Sequence, residues 1–217
     1  MQRYDFLNQL ISDHGFKDYL EIGVADGECF KRIKARNRTW VDPRPFYHED
    51  GVTAYPVDSD TAFESMPESK VYDLIFIDGA HRWENVIRDF KNSINHLSRN
   101  GLIVFHDCNP LTETAQETIP THGPWNGCVW KAFVALRAEY REYFDMMTID
   151  TDEGLGFAYR YRDFPHLPKT KVHLKFIKPE NMSYNFLETN RREALSLLSL
   201  SQFWTWHKNL LAKPEEM

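Results

Sequence analysis

The sequence predicts an α/β protein built on a mostly parallel sheet, and three observations support this. Short apolar runs alternate with segments whose apolar residues recur at helical spacing. Several of these runs end in glycine, aspartate or histidine, as strands do where a parallel sheet binds a ligand. The last two runs, residues 143–149 and 155–161, flank a DTDEG turn that is typical of a hairpin. We therefore predict seven strands, the final pair antiparallel, followed by a helical extension.

Composition limits the class of protein. The chain has 217 residues, of which 42% are hydrophobic, which is enough for one domain with a substantial core. Its net charge of −6 argues against a general nucleic-acid binder. No apolar run approaches membrane-spanning length, and the first ten residues lack the apolar core of a signal peptide. The three cysteines lack CxxC spacing and indicate reduced thiols. We expect a cytoplasmic protein that binds neither membranes nor nucleic acid.

The first helix and strand lead into a glycine turn. Four apolar residues between positions 6 and 11 share one helical face, and Gly15 ends that helix. The helix is predicted to cover the sheet edge, and whether it also covers a cofactor is left open. A buried strand over residues 19–23 carries Glu21 and ends in Gly23. Gly27 follows, and a helix is expected from about Glu28. Glycines let the backbone approach a ligand closely, and a helix N-terminus offers unpaired N–H groups.

Two further strands end in acidic residues. The strand at 39–41 ends at Asp42, about 20 residues past the glycine turn, where an acid commonly reaches the ribose hydroxyls of a nucleotide-like ligand. The glycine turn and the spaced acid together favour such a ligand over two ordinary turns. A third strand, residues 52–57, precedes Asp58 and a short helix to about Met66. For Asp58 two interpretations stay open, a helix cap and a contact to an adenine base.

The strongest pattern lies between residues 71 and 110. Two apolar runs flank an amphipathic helix that Asn100-Gly101 is predicted to end. Asp78 and His81 follow the first run, and His106 and Asp107 follow the second. A right-handed crossover would make these strands parallel and put their carboxyl ends side by side. We therefore expect the reaction at this edge of the sheet.

The remainder of the chain is less regular. The loop at 111–126 is either a lid with substrate contacts or an ordinary surface loop. A helix is predicted over residues 129–140. The basic stretch at 160–178 is either a solvated face or an attraction for an anionic substrate group, and one or two helices follow between 183 and 211. Phe203, Trp204 and Trp206 either pack on the body or form a homodimer contact. We divide the chain into a domain at 1–162 and an extension at 163–217 packed on it.

The order of elements and the pattern ExGxxxG after the first strand resemble class I S-adenosylmethionine-dependent methyltransferases, which have a Rossmann-like fold. The resemblance covers roughly residues 17–161. It implies S-adenosyl-L-methionine as the cofactor, with Gly23 and Gly27 at its methionine part, Asp42 at the ribose and Asp58 near the adenine. The residues that the resemblance assigns to cofactor binding are Glu21, Gly23, Gly27, Asp42, Asp58 and Asp78.

A finer similarity lies in IDGAH followed by FHD, which resembles a subfamily that includes the macrocin-type sugar O-methyltransferases. It implies that Asp78 and Asp107 bind Mg²⁺ or another divalent cation and that His81 is the base. His106 stands where some relatives have an acidic ligand, and imidazole is a poorer partner for Mg²⁺ than oxygen. His106 is thus a third metal ligand, a base or a bystander, and Asn109 offers an alternative oxygen.

These observations predict an S-adenosylmethionine-dependent O-methyltransferase. Its acceptor would be a hydroxyl of a sugar or glycan precursor, or of a secondary metabolite. The expected catalytic residues are His81, Asp78 and His106, and the expected metal ligands are Asp78, Asp107 and His106. Local roles are the alternatives: Asp78 as a helix cap and His81 bonded within its loop. Two other classes stay open, a nucleotide-binding regulatory protein without turnover and an NAD-dependent enzyme, which the absence of GxGxxG disfavours.

Overall fold

A computed structural model describes residues 1–120, 123–160 and 178–212. The sheet has eight strands in the order β3-β2-β1-β4-β5-β7-β6-β8. The strands are β1 Asp18–Ile22, β2 Asn37–Val41, β3 Thr53–Tyr55, β4 Tyr72–Ile77, β5 Leu97–Phe105, β6 Phe144–Ile149, β7 Leu155–Arg160 and β8 Leu197–Leu198. The helices are α1 Arg3–His14, α2 Ser59–Ser65, α3 Trp83–Ser93, α4 Val129–Glu139, α5 Tyr184–Ala194 and α6 Leu200–Leu211.

The predicted fold class is confirmed. Strands β1 to β5 pair in parallel, and β7 runs antiparallel to both β5 and β6. The two-residue strand β8 pairs in parallel with β6 and was not predicted. Because β1 and β4 are directly paired, as are β4 and β5, the carboxyl ends of all three strands meet at one edge. That edge carries the glycine turn and both acid–histidine motifs.

Helices cover both faces of the sheet. Helices α2, α3, α4 and α5 pack on one face, and α1 and α6 pack on the other. Alternate residues of the central strands enter the two cores: Leu20 and Ile22 lie on the first face, while Tyr19 lies on the second. Phe203 is buried against Phe6 and Phe157, with ring centroids 5.1 and 5.0 Å apart. The packing interpretation of the C-terminal aromatic residues is therefore confirmed for Phe203, and the homodimer stays a prediction.

The helix expected from Glu28 is wrong. Only a single 3₁₀ turn forms, at Phe30–Arg32, and Ile33 is already extended. The side chain of Asn8 in α1 explains this, because it bonds the chain in a non-helical shape. Its Nδ2 donates to the carbonyl of Arg32 at 2.8 Å, and its Oδ1 accepts from the N–H of Lys34 at 2.8 Å. The helix N-terminus expected at the glycine turn is therefore missing.

The predicted stop at Asn100-Gly101 is also wrong, because α3 ends at Ser93 and both residues lie within β5. Strand β5 starts early but is irregular, since its register against β4 shifts before Leu102. A Cβ at Gly101 would lie 2.7 Å from the side chain of Leu97 and 3.1 Å from the carbonyl oxygen of Asp73. Gly101 is thus required by close packing inside a strand. Strand β3 is also shorter than the predicted 52–57.

Two other predictions concern the less regular segments. Most of the basic stretch, residues 161–177, lies outside the described residues. The loop at 111–126 contains a 3₁₀ turn at Thr114–Gln116, and residues 121–122 are outside the described part. None of the helices in the described ranges combines the length and apolarity needed to cross a membrane.

Candidate active site

The glycine turn after β1 is fixed by close backbone packing. Gly23 has a φ of 90°, and a Cβ there would overlap the carbonyl of Asp78 and lie 2.5 Å from the Cα of Gly79. Gly27 has a φ of 73°, and a Cβ there would overlap the ring of Tyr47. Gly23 therefore allows the end of β1 to lie directly against the end of β4. This contact joins the predicted cofactor half of the site to the acid–histidine half.

Asp42 ties the end of β2 to the same turn. Its Oδ2 accepts from the N–H of Ala25 at 2.9 Å, and its Oδ1 accepts from the N–H of Arg44 at 2.7 Å. Asp58 is exposed and caps α2, accepting from the N–H of Thr61 at 3.0 Å. These bonds to Thr61 lower the pKa of Asp58. The capping interpretation of Asp58 is confirmed, and its adenine contact stays a prediction.

Glu21 is a buried carboxyl beneath the glycine turn. The hydroxyl of Tyr19 donates to its Oε2 at 2.5 Å. Burial is the largest influence and raises the pKa of Glu21 to about 8, although the bond from Tyr19 acts in the opposite direction. At neutral pH this acid is therefore mostly protonated and adds little charge to the site.

The structure brings together the four residues that follow β4 and β5. His81 Nδ1 lies 3.3 Å from Asp107 Oδ2, and His81 Nε2 lies 3.7 Å from Asp78 Oδ1. His106 Nδ1 lies 3.0 Å from Asp107 Oδ2 and 3.3 Å from Asp78 Oδ1. Asp78 does not cap α3, whose N-cap is Arg82 without a side-chain bond. We call Asp78, His81, His106 and Asp107 the acid–histidine cluster.

Burial and charge compete within this cluster. Burial by itself would raise the pKa of Asp78, but the imidazole of His106 outweighs it and lowers that pKa well below the ordinary value. Burial lowers the pKa of His81, and the nearby Asp78 and Asp107 more than offset it, so the pKa is raised. The same carboxylates raise the pKa of His106 against the effect of burial. The carboxylates thus favour the protonated imidazoles, and the imidazoles favour the ionised form of Asp78.

The turn between β6 and β7 shapes the end of β5. Asp107 has a φ of 62°, a left-handed conformation that aspartate tolerates better than most residues. The N–H of Cys108 donates to the carbonyl of Gly154 at 2.9 Å, and that of Asn109 to the carbonyl of Glu153 at 2.9 Å. A Cβ at Gly154 would lie 2.5 Å from the backbone nitrogen of Asn109. Gly154 therefore lets this turn support Asp107.

Two residues of the site were missed from sequence, Arg3 and Asp152. Arg3 Nη1 lies 2.7 Å from His106 Nε2, and Arg3 Nε lies 3.8 Å from Asp78 Oδ2. Asp152 accepts from the backbone N–H of Arg3, and its Oδ1 lies 3.7 Å from His106 Nε2. The position of Asp152 could have been found, because β7 runs antiparallel to β5 and must begin at the carboxyl end of β5. No signal in the sequence indicated Arg3.

The loop before α4 contacts His81 directly. The ring of Trp125 stacks on that of His81, with centroids 4.6 Å apart and planes 16° apart. The N–H of Cys128 donates to the carbonyl of His81 at 2.9 Å, and Asn126 Nδ2 donates to Asp107 Oδ1 at 2.9 Å. The end of the loop, residues 125–128, therefore lies against the cluster.

Asn109, the alternative oxygen ligand, is already engaged. Its Oδ1 accepts from Arg191 Nη1 at 2.6 Å, and its Nδ2 donates to Asp150 at 3.1 Å. Arg191 belongs to α5, and its Nη1 also donates to the carbonyl of Pro110 at 2.8 Å. Asn109 thus anchors the loop after β5 to the C-terminal extension.

A divalent cation fits the donor atoms of the cluster. Asp78, His81 and Asp107 each present one ligand atom, and these atoms all lie within 4.8 Å of one another. Two buried polar atoms beside Asp107 have no hydrogen-bond partner in the described structure, His81 Nδ1 and Asn126 Oδ1. Two carboxylates and an imidazole are acceptable ligands for several divalent metals. The geometry favours His81 over His106 as the third donor, since His106 Nε2 faces Arg3.

Comparisons with known proteins agree with this fold. A family model described as a methyltransferase domain matches residues 20–108, which contain the glycine turn and the acid–histidine cluster. A comparison with curated proteins found no match. Among solved structures, an O-methyltransferase from Bacillus cereus in complex with SAH aligns with a TM-score of 0.54 at 14% identity, covering 73% of this chain and 80% of that chain.

Two other solved structures are similar to the same extent. The SAH-bound methyltransferase PaMTH1 of Podospora anserina has a TM-score of 0.55 at 17% identity, covering 74% of this chain and 78% of its own. The O-methyltransferase TomG of Streptomyces achromogenes, in complex with SAM, has a TM-score of 0.56 at 12% identity, covering 74% and 80%. The fold is therefore that of the class I methyltransferases. Within that fold, residues 20–108 match a methyltransferase domain.

Proposed function

We propose that the protein transfers a methyl group from S-adenosylmethionine to a hydroxyl of a small-molecule acceptor, with His81 as the general base. The acceptor we propose is a sugar or glycan precursor or a secondary metabolite, in line with the sequence similarity to the macrocin-type enzymes. Several solved structures with the same fold carry O-methyltransferase in their names, which supports oxygen as the acceptor atom.

One observation carries the proposal. His81 lies between the two carboxylates, 3.7 Å from Asp78 and 3.3 Å from Asp107, and Asp78 is in turn in contact with Gly23 of the glycine turn. A general base must be within hydrogen-bond reach of the acceptor hydroxyl, and that oxygen must in turn lie beside the methyl donor. The contact between Gly23 and Asp78 supports this assignment, because it brings the glycine turn and the acid–histidine cluster to adjacent strand ends.

The residues of the chain have distinct tasks in this reaction. As the acceptor oxygen attacks the methyl carbon, the carbon–sulfur bond of the donor breaks, and His81 takes the hydroxyl proton. Asp78 and Asp107 orient the ring and stabilise the imidazolium that forms. Trp125 stacks on one face of the His81 ring and excludes water from that face. The products are the methyl ether and S-adenosylhomocysteine, with the proton on His81.

A divalent metal would fit the same site. Asp78, His81 and Asp107 could all reach one ion, but a His81 that binds a metal could not also act as the base. We therefore assign the metal to Asp78 and Asp107, where a bound divalent ion would lower the pKa of the acceptor hydroxyl. His106 then serves as a positioning residue between them.

The proposal predicts a specific loss in the variant His81→Gln. We expect methyl transfer to fall by about 10²–10⁴-fold, the usual contribution of a general base. Binding of S-adenosylmethionine should change by less than about threefold, because the cofactor half is on other strand ends. Transfer is measured as S-adenosylhomocysteine formation over a panel of sugar, sugar-nucleotide and phenolic acceptors, and binding by calorimetry. His48→Gln is the matched control, since His48 is exposed in the loop after β2.

Two results would contradict the proposal. If His81→Gln keeps full transfer, His81 is not the base. If the wild-type protein methylates no acceptor and binds another nucleotide more tightly than S-adenosylmethionine, a non-catalytic nucleotide-binding or regulatory role replaces the enzymatic one.

A further inference from the structure

One further side chain that contacts the acid–histidine cluster is that of Arg3, near the start of the chain. Arg3 is the first residue of α1, yet its guanidinium lies among the side chains that follow β4 and β5. Its Nη1 is 2.7 Å from His106 Nε2 and 3.2 Å from His106 Nδ1, and its Nε is 3.8 Å from Asp78 Oδ2. Arg3 thus makes direct contact with two of the four cluster residues.

The carboxylates in and beside the acid–histidine cluster require a positive charge close to them. Three carboxylates converge on His106, and their side chains are only 15%, 5% and 12% exposed for Asp78, Asp107 and Asp152. Buried carboxylates that lie this close together are unfavourable unless a cation or protons offset their charge. Arg3 supplies a permanent positive charge, and the carboxylates of Asp78 and Asp152 in turn raise its pKa against the effect of burial.

Arg3 also lies against the ring of His106. Its Nη1 is within 3.2 Å of both ring nitrogens, so the guanidinium contacts the ring itself rather than the lone pair of one nitrogen. On its other side, His106 Nδ1 faces Asp107 Oδ2 at 3.0 Å. His106 is therefore a bridge between Arg3 and Asp107.

The end of α1 is held in this position by the turn between β6 and β7. Asp152 accepts from the backbone N–H of Arg3, and Thr151 Oγ1 donates to the carbonyl of Met1 at 3.0 Å. A carboxylate at a helix N-terminus is favourable for the unpaired N–H groups there. Backbone contacts of residues 1 and 3 to this turn thus fix the position of Arg3.

Arg3 and a divalent ion would compete for the same carboxylates. Asp78 contacts Arg3 and is also one of the three residues that could hold a metal. Two cations near one carboxylate pair repel each other, and that repulsion is strong where water is largely excluded. We propose that Arg3 is a built-in cation of the acid–histidine cluster and that a divalent ion enters only when Arg3 is displaced. This inference rests on the metal site named in the proposed function.

The experiment measures Mn²⁺ binding to the full chain by electron paramagnetic resonance of the free ion. We expect Arg3→Gln to bind Mn²⁺ at least tenfold more tightly than the wild type. Arg3→Lys keeps a charge but has no planar fork to contact His106 and Asp78 together, so its affinity should lie between the two. Arg36→Gln is the matched control: Arg36 is exposed and comes just before β2, at the edge of the parallel strands opposite to their carboxyl ends, so this change should leave Mn²⁺ affinity unchanged. Adding Asp107→Asn to Arg3→Gln should abolish the gain, which assigns the bound ion to the cluster.

Several outcomes would overturn the inference. Equal or weaker Mn²⁺ binding by Arg3→Gln would do so, as would a gain that survives Asp107→Asn. If Arg3→Gln does not fold by circular dichroism, Arg3→Lys decides alone, and an affinity equal to that of the wild type counts against the inference. Binding of S-adenosylmethionine is measured on the same preparations. If S-adenosylmethionine does not bind, the result counts against the proposed function. If S-adenosylmethionine binds normally and Mn²⁺ affinity is unchanged, the result counts only against the role of Arg3.

Discussion

Glu21 shows how one buried acid responds to its surroundings. It lies in the middle of β1 between Trp40 and Phe76, its partners on the neighbouring strands, and it accepts a bond from Tyr19. Burial disfavours its ionised form more than the bond from Tyr19 and the charge of Arg3 favour it, so the pKa of Glu21 is raised to about 8. The folded protein therefore keeps a proton that the unfolded chain would lose at neutral pH.

This residue should make stability fall as pH rises. The pKa of Glu21 is higher in the folded state than the ordinary 4.5. The contribution of Glu21 to the free energy of unfolding is therefore complete below about pH 4.5 and is lost as the pH rises to about 8. We expect the wild type to lose about 4 kcal/mol of unfolding free energy relative to Glu21→Gln between pH 5 and pH 8. Urea unfolding at several pH values measures the difference. Glu68→Gln, at an exposed site, should show no such trend, and a constant difference for Glu21→Gln would refute the prediction.

At the scale of residues, the sequence indicated the site where side chains follow strands. Asp78, His81, His106 and Asp107 were predictable because each comes directly after an apolar run, and parallel neighbours put such positions at one edge. Arg3 was not predictable, because its place depends on how α1 lies across the sheet. That arrangement is set by packing of α1 against β1, β4 and α6, which no local pattern encodes.

At the scale of elements, the loop before α4 determines the position of His81. Gly127 has a φ of 58°, and a Cβ there would overlap the carbonyl oxygen of His81 and lie 2.5 Å from its Cβ. The loop backbone therefore lies in contact with the proposed base, and Trp125 stacks on the same ring. Any side chain at position 127 must move one of the two segments.

The variant Gly127→Ala tests this coupling, and Gly15→Ala is its control. Gly15 ends α1 with a φ of 67°, but a Cβ there meets nothing within 4 Å. Both variants place alanine in a left-handed conformation, which costs about 1 kcal/mol of stability. We expect Gly127→Ala to lose further stability and at least about tenfold in methyl transfer, since small displacements of catalytic groups cost that much. Equal activity of the two variants would show that the loop does not position His81.

The elements predicted wrongly share a cause. The helix expected after Gly27 is replaced by a 3₁₀ turn because the side chain of Asn8 bonds that segment from α1. The stop signal at Asn100-Gly101 lies inside β5 because β4 pairs with residues on both sides of it. Local propensity was overridden in each case by contacts distant in sequence. The hairpin of β6 and β7 was predictable because its turn residues are a local signal.

At the scale of the molecule, the first and the last described helices meet on one face of the sheet. Helices α1 and α6 pack together there, with Phe6 against Phe203 and Trp204. Since α1 also carries Arg3 into the acid–histidine cluster, the arrangement of α6 bears on the site through α1. The extension also reaches the other side, where Arg191 of α5 bonds Asn109. The sequence predicted helices in the extension without indicating where they would dock.

The joint between α1 and α6 contains a pair of histidines that should weaken in acid. His14 Nε2 and His207 Nε2 lie 2.9 Å apart, so one ring must be an acceptor, and burial lowers the pKa of His14 to about 4. Asp13, 3.6 Å from His207, acts in the opposite direction but does not outweigh burial.

Because the pKa of His14 is below the ordinary 6.5, the stability that the histidine pair contributes is present above about pH 6.5 and is lost as the pH falls towards 4. The variant His14→Gln keeps a hydrogen-bonding group that does not titrate. Relative to this variant, the wild type should lose about 1–2 kcal/mol of unfolding free energy over that range, since the partial exposure of His14 reduces the effect. Urea unfolding of both proteins at pH 4.5, 5.5 and 7 measures this, and parallel curves would mean that the pair does not couple the two ends of the chain to pH.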